Sequence, residues 1–240
     1  MIRSMVRVLA SVWPVVLPGL VAAQAKHYPL ESVEGLRPHN VIAQPATHKG
    51  KKGLRLAVDT ARLRDRPAGG QAEVELLASI GGVEFSNGVI EAEVTGRAAP
   101  GAFEGARGFV GIAFRVQEDN KTYDAFYLRP TNGRAEDQER RNHATQYISH
   151  PDWPWFRLRR ETPSRYEAYV DLVPDEWTKI RIEVRGARAR LYVHDQQHPT
   201  LIVNDVKSGA NGKGGVALWI GPGTVAHFRN LTVKPDPETR

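Results

Sequence analysis

The chain has 240 residues, with 33 Lys and Arg against 27 Asp and Glu, a formal charge of +6 and no cysteine. The charge is mild, acids are interleaved with the arginines and aromatics between Tyr123 and Arg160, and no nucleic-acid-binding motif occurs, so nucleic acid is excluded as a partner. Without cysteine there is no thiol catalysis, disulfide or Cys-based zinc site, and the fold must be held by its hydrophobic core.

At the N-terminus, Arg3 and Arg7 precede an apolar run from Val8 to Ala23, and Val21-Ala22-Ala23 and Ala23-Gln24-Ala25 offer small residues for cleavage. This pattern predicts a signal peptide over residues 1–25 and an exported protein, periplasmic or extracellular. The run is shorter than the roughly 20 residues that span a bilayer and holds Pro14 and Pro18, and no later segment reads as a membrane span. Residues 26–53, with Pro29, Pro38, Pro45 and the basic His48-Lys49-Gly50-Lys51-Lys52, have little periodicity and predict an extended N-terminal arm.

From Leu54 the chain repeats a short alternating run followed by a Gly, Pro, Asn or Asp turn. Strands are predicted over 54–58, 88–94, 108–116, 122–129, 143–148, 166–171, 178–185, 188–194, 201–204, 214–220 and 226–233. No stretch keeps helical spacing over three turns. The expectation is one all-β domain over 54–233, a two-sheet antiparallel sandwich or a barrel, with a tail at 234–240.

Alternation assigns faces. Burying Ile90, Ala92 and Val94 turns Glu91 and Glu93 outward. Burying Val110, Ile112 and Phe114 turns Gly111, Ala113 and Arg115 the other way, and burying Phe126 and Leu128 does the same for Tyr127 and Arg129. If these strands were neighbours, small residues ringed by polar ones would form a groove. In His143–Ile148, placing Ala144 and Ile148 in the core turns His143 and Tyr147 toward Tyr127 and Arg129, and turns Asn142 and Gln146 away. Trp177 and Trp219 sit in strongly apolar alternation and are expected in the core.

Gly88-Val89-Ile90-Glu91-Ala92-Glu93-Val94, Gly108 through Arg115, Tyr127-Leu128-Arg129-Pro130, Gly214 through Trp219 and Phe228-Arg229-Asn230-Leu231 resemble the concanavalin A-like lectin/glucanase superfamily. Within it they are most similar to the laminin-G-like and 3-keto-disaccharide hydrolase-like domains of secreted bacterial proteins. The resemblance spans roughly 54–233. It implies a jelly-roll sandwich whose concave sheet binds carbohydrate, often with a structural calcium elsewhere. It does not fix the activity, because the superfamily holds glycosidases, lyases and noncatalytic lectins.

Three chemistries fit these residues. Glu91 and Glu93 could form a retaining glycosidase pair. Alternate residues on one strand face lie about 6.5–7 Å apart at Cα, compatible with the roughly 5–5.5 Å between carboxyl groups that retention needs. The Glu-x-Asp-x-Glu pattern of the superfamily's glucanases, however, is matched at two places at most. Elimination from a uronate, or from a sugar oxidised at C3, needs a base and enolate-stabilising donors: His143 or Tyr147 as the base, with Arg129, Arg141, Asn142 and Gln146 as donors. Noncatalytic glycan binding would use Trp153, Trp155 and Tyr166 as stacking surfaces.

The sequence reading is an exported protein that cleaves glycosidic bonds, with His143 and Tyr147 as acid/base candidates. Glu91, Glu93, Arg115, Tyr127, Arg129, Arg141, Asn142, Gln146, Trp153 and Trp155 are its substrate-binding candidates. The alternative is a lectin-like module. No catalytic cofactor or metal is expected, since no zinc-type His spacing exists. Asn204-Asp205 and the Gly-rich 208–215 loop carry the oxygen ligands and tight turns of a structural calcium site.

Overall fold

The computed structural model describes residues 24–63 and 74–237. The predicted signal peptide falls almost wholly on 1–23, outside the described residues. The chain runs β1 (Lys26–Tyr28), β2 (Leu36–His39), β3 (Val41–His48), β4 (Lys51–Val58), α1 (Thr60–Leu63), β5 (Leu77–Ile80), β6 (Gly88–Ala98), β7 (Val110–Val116) and β8 (Tyr123–Leu128). It continues through α2 (Gln138–Asn142), β9 (Thr145–His150), α3 (Trp155–Glu161), β10 (Glu167–Ala168), β11 (Thr178–Arg185), β12 (Arg188–Val193), β13 (Leu201–Val203), β14 (Gly215–Ile220) and β15 (Thr224–Pro235). Among the described residues, no helix is long and apolar enough to cross a membrane.

These strands form two antiparallel sheets. One is eight-stranded, in the order β13-β12-β11-β6-β15-β4-β3, with β1 added on β15; the other is seven-stranded, in the order β10-β9-β8-β7-β14-β5-β2. The core lies between them. Ile90, Ala92, Val94, Ile180, Ile182, Val184 and Phe228 of the larger sheet and Val110, Ile112, Phe114, Phe126, Val216 and Leu218 of the smaller are all buried. Each such large apolar side chain contributes about 1.5–3 kcal/mol by leaving water.

The expected N-terminal arm is instead built into both sheets, as β1, β2, β3 and the start of β4. Its prolines explain why periodicity missed it. Pro38 and Pro45 lie on β2 and β3, an edge strand of each sheet, where a missing N–H costs no ladder bond on the open side.

The sheets differ in what covers their outer faces. Strand β11 alternates buried and more exposed residues along its length, as a sheet with one wet face should. Strands β7, β8 and β9 are buried at every position. Their second face is roofed by the 99–109 loop, α3 and the segment from Pro130 to His143, and a cavity lies beneath that roof.

Candidate functional site

The site grows from the registers of the seven-stranded sheet. Trp219, Gly111, Tyr127, Gln146 and Glu167 face one another in a row across β14, β7, β8, β9 and β10. Gly111 is required there: a Cβ would stand 2.6 Å from the Tyr127 Cβ. Its bareness lets the Tyr127 and Trp219 rings stack at 4.7 Å. The next row on this face is Ala217, Ala113, Ala125 and Ile148, a floor of short side chains. Beyond it, Tyr123 pairs with His150 and their rings stack at 5.0 Å. Trp219 Nε1 donates across the alanine row to the Tyr123 hydroxyl at 3.1 Å. Over this floor lies a cavity of about 470 Å³, walled further by Phe109, Trp155 and Pro222.

At one end of the cavity a charged cluster closes the wall. Arg129, 4% exposed, follows β8 and reaches back across the row. It donates to the Tyr127 hydroxyl and Gln146 Oε1, both at 2.9 Å, to Glu167 Oε1 at 2.9 Å and to the His143 carbonyl at 3.0 Å. Its guanidinium also lies over the rings of Phe109, Tyr127 and Trp155. Arg159 of α3 binds the same Glu167 carboxylate and stacks on Trp155, one helical turn before it. Burial alone would raise the Glu167 carboxyl, but the hydrogen bonds and charges of Arg159 and Arg129 outweigh it and hold the group below the usual carboxylate range.

His143 caps the C-terminal end of α2 and lines the cavity. Its Nδ1 stands 2.9 Å from Glu167 Oε2. Burial pushes the imidazole pKa below its ordinary value, Glu167 opposes this, and Arg159 and Arg129 add to it. The shift favours the neutral ring, and Nδ1 stands near Glu167 without a hydrogen bond that meets the usual geometry, so His143 is a candidate general base beside a charge.

The structure separates the sequence candidates into groups. Tyr127, Arg129, His143, Gln146 and Trp155 come together, as the pairing of His143 with Tyr127 and Arg129 required. Tyr147 does not join them. It faces the opposite side of β9, opposite Phe126, donating to Asp124 Oδ1 at 2.5 Å and accepting from the Lys207 amide at 2.8 Å between the sheets. Burial pushes its phenol well above the usual value. The error came from placing Ile148 in the inter-sheet core. Ile148 is buried, but it lines the cavity, and on a strand covered on both faces burial does not reveal which face is which.

Arg115 is also corrected. A β-bulge opposite Gly215 and Val216 gives it a left-handed φ of 55° and swings it off the cavity face. Its guanidinium, 1% exposed, donates to the carbonyls of Ser86, Gly186 and Gly209 and to the Ser208 hydroxyl. Part of the loop read for calcium thus closes on an arginine, while Asp205 accepts from Tyr166 and Lys207. Among the described residues, no cluster of three His, Cys, Asp or Glu could hold a metal ion.

Glu91 and Glu93 belong to the other sheet, because β6 is not a neighbour of β7. Glu93 is held there by Lys51, Asn230 and Arg229. Arg141 packs on Tyr169, Asn142 is exposed on α2, and Trp153 lies between Arg157 and Lys207; all three are off the cavity wall. Tyr166 is buried against Tyr147 and does not offer a stacking surface. Trp177 is half-buried on the larger sheet with its Nε1 on the His48 carbonyl, and Trp219, expected in the core, lines the cavity.

Glu167, Arg159, Tyr123 and His150 were not read from the sequence. Glu167 follows Tyr166 in a two-residue strand too short for alternation to speak. The Arg157–Glu161 run holds an i,i+4 ion pair at 2.9 Å, and that spacing leaves Arg159 free to turn inward.

Fold and site together define a concanavalin A-like β-sandwich with a cavity on the outer face of one sheet. The chain belongs to the 3-keto-alpha-glucoside-1,2-lyase-like domain family, whose model matches residues 75–234. It is therefore a carbohydrate-related domain. Comparison with curated proteins gave no match. Among solved structures it is similar to the carbohydrate-binding module CBM66 from Bacillus subtilis, at 12% identity, TM-score 0.55, covering 82% of this chain and 94% of that one. It is likewise similar to a protein of unknown function with a galectin-like fold from Bacillus subtilis, at 12% identity, TM-score 0.56, covering 89% and 96%. At such identities these likenesses show the fold alone.

Proposed function

We propose that this exported domain cleaves the glycosidic bond of a 3-keto sugar by elimination, with His143 as the base. The observation that carries the reading is His143 on the wall of the cavity with its Nδ1 2.9 Å from Glu167, where burial and two arginines favour the neutral ring. The family description supports the substrate class, and the leader-like first residues support export.

A ketone at C3 acidifies the proton on C2, and the glycosidic oxygen on C1 stands β to the resulting carbanion. His143 takes the C2 proton, and the electron pair passes through an enolate whose charge develops near Arg129, Arg140 and Arg159. The C1–O bond then breaks, a C1–C2 double bond forms, and the departing oxygen takes up the proton that His143 removed. The aromatic rows of Tyr127 with Trp219, and Tyr123 with His150, present flat apolar faces to the sugar ring.

The test is product analysis. Incubation with a 3-keto disaccharide should give an ultraviolet-absorbing enone together with the released sugar, and His143→Ala should give neither. Release of reducing sugar with no enone, at any time in the reaction, would replace elimination by direct hydrolysis. A second reading, binding without cleavage, is favoured by the stacked Tyr127 and Trp219; binding of the disaccharide with no product of either kind would establish it.

A further inference from the structure

We propose that the sugar taken by this cavity is anionic, bearing a carboxylate or a sulfate ester seated between Arg107 and Arg140. The inference rests on the reading of the cavity as a saccharide site and names the class of saccharide.

No acid lines the cavity among the described residues, whereas Arg107, Arg129, Arg140 and Arg159 do. Arg129 and Arg159 share the single carboxylate of Glu167, which leaves that pair with a net positive charge. The other two arginines have no carboxylate partner among the described residues. Arg107 donates to the carbonyls of Glu104 and Ala106, and Arg140 to the carbonyl of Thr131 at 3.5 Å. A carbonyl satisfies a donor but does not neutralise its charge.

Thr131 links the backbone of one to the side chain of the other, since its Oγ donates to the Arg107 carbonyl at 3.4 Å and its own carbonyl receives Arg140, and both arginines line the same cavity. Arg140 Nε is buried and has no hydrogen-bond partner. The adjacent Asn132, 5% exposed, lines the cavity with its Nδ2 on the His143 carbonyl and its Oδ1 without a partner. An unused acceptor beside two uncompensated guanidiniums matches a sugar hydroxyl next to an anionic group. The guanidinium forks suit the paired oxygens of a carboxylate or sulfate, and the half-enclosed site strengthens the attraction over its value in bulk water. Beside Glu167, two described acids adjoin lining residues: Glu139, whose side chain is 84% exposed and lies 3.9 Å from His143 Nε2, and exposed Glu104. Solvation leaves them weak counter-charges.

The test is calorimetric titration of the whole protein with phenyl glucoside, phenyl glucuronide and a sulfated phenyl glucoside, none of which carries the C3 ketone. At low salt one or both anionic ligands should bind roughly tenfold or more tighter than the glucoside, and their ranking identifies which anion the site prefers. The advantage should shrink as salt rises. The paired change R107Q and R140Q should erase it, and R107K with R140K should keep most of it. Equal binding of all three ligands would overturn the proposal, as would an anionic preference that survives the glutamine pair. If the glutamine pair does not fold, a preference in the wild-type protein that is indifferent to salt would overturn it as well. Because binding is read without turnover, an anionic preference with no cleavage of 3-keto sugars would refute the proposed function and leave this inference standing. Cleavage of neutral 3-keto sugars with no such preference would do the reverse.

Discussion

The seven-stranded sheet carries a tyrosine, an arginine and a carboxylate on each face, and the two clusters have different fates. On the outer face Tyr127, Arg129 and Glu167 adjoin a cavity and a neutral histidine. On the inner face Tyr147 and Asp124 lie with Arg115 at the join between the sheets, enclosed by the Ser86, Gly186 and Ser208–Gly209 segments. Residue types are the same on both sides, so composition does not make one of them a site. Access does. The inner cluster is tied to its own members and to backbone carbonyls, with Asp124 Oδ2 the exception, while the outer cluster lines a cavity with buried polar atoms of His143, Asn132 and Arg140 that have no hydrogen-bond partner.

If the inner cluster is purely structural, damage to it should appear as lost stability and nothing else. Arg115→Met removes a buried cation that satisfies several backbone carbonyls, and should cost about 3–5 kcal/mol in urea unfolding, with ligand affinity per folded molecule unchanged. A fall in affinity without a fall in stability would join the two clusters into one site. Tyr147→Phe deletes one hydroxyl between Asp124 and the Lys207 amide and should cost about 1–2 kcal/mol by the same measurement. The gentlest probe is pH. Burial and two arginines disfavour the His143 imidazolium, so its pKa falls and the basic form persists as the pH drops through the ordinary value of 6.5. The acid limb of kcat/KM should therefore lie below that value, and a limb above it would mean that Glu167 dominates the ring.

Much of this architecture was legible in the sequence, and the gaps have physical causes. Eight-residue β11 was placed to the residue because one of its faces is wet and its alternation is clean. The edge strands β2 and β3 were hidden by prolines that only an edge tolerates. At the site, Gly111 and Ala113 were correctly read as the small floor of a groove and Tyr127 with Arg129 as its polar wall. Alternation chose Tyr147 over Gln146 because a lining residue such as Ile148 looks like a core residue when the cavity is apolar. Arg115 was lost to a bulge that no residue-type pattern announces, and Glu91 with Glu93 to an assumption about neighbours that only topology could correct. Glu167 had no pattern to carry it, since its strand pairs only two residues.

The central claim, that chemistry belongs to the outer face of the sheet and to His143, is tested most directly by comparing kcat/KM on a 3-keto disaccharide for the wild-type protein, His143→Ala and Tyr147→Phe. The account predicts a loss of about 10²- to 10⁴-fold for His143→Ala and a rate close to wild type for Tyr147→Phe. Retained activity in His143→Ala, with activity lost in a folded Tyr147→Phe, would contradict it.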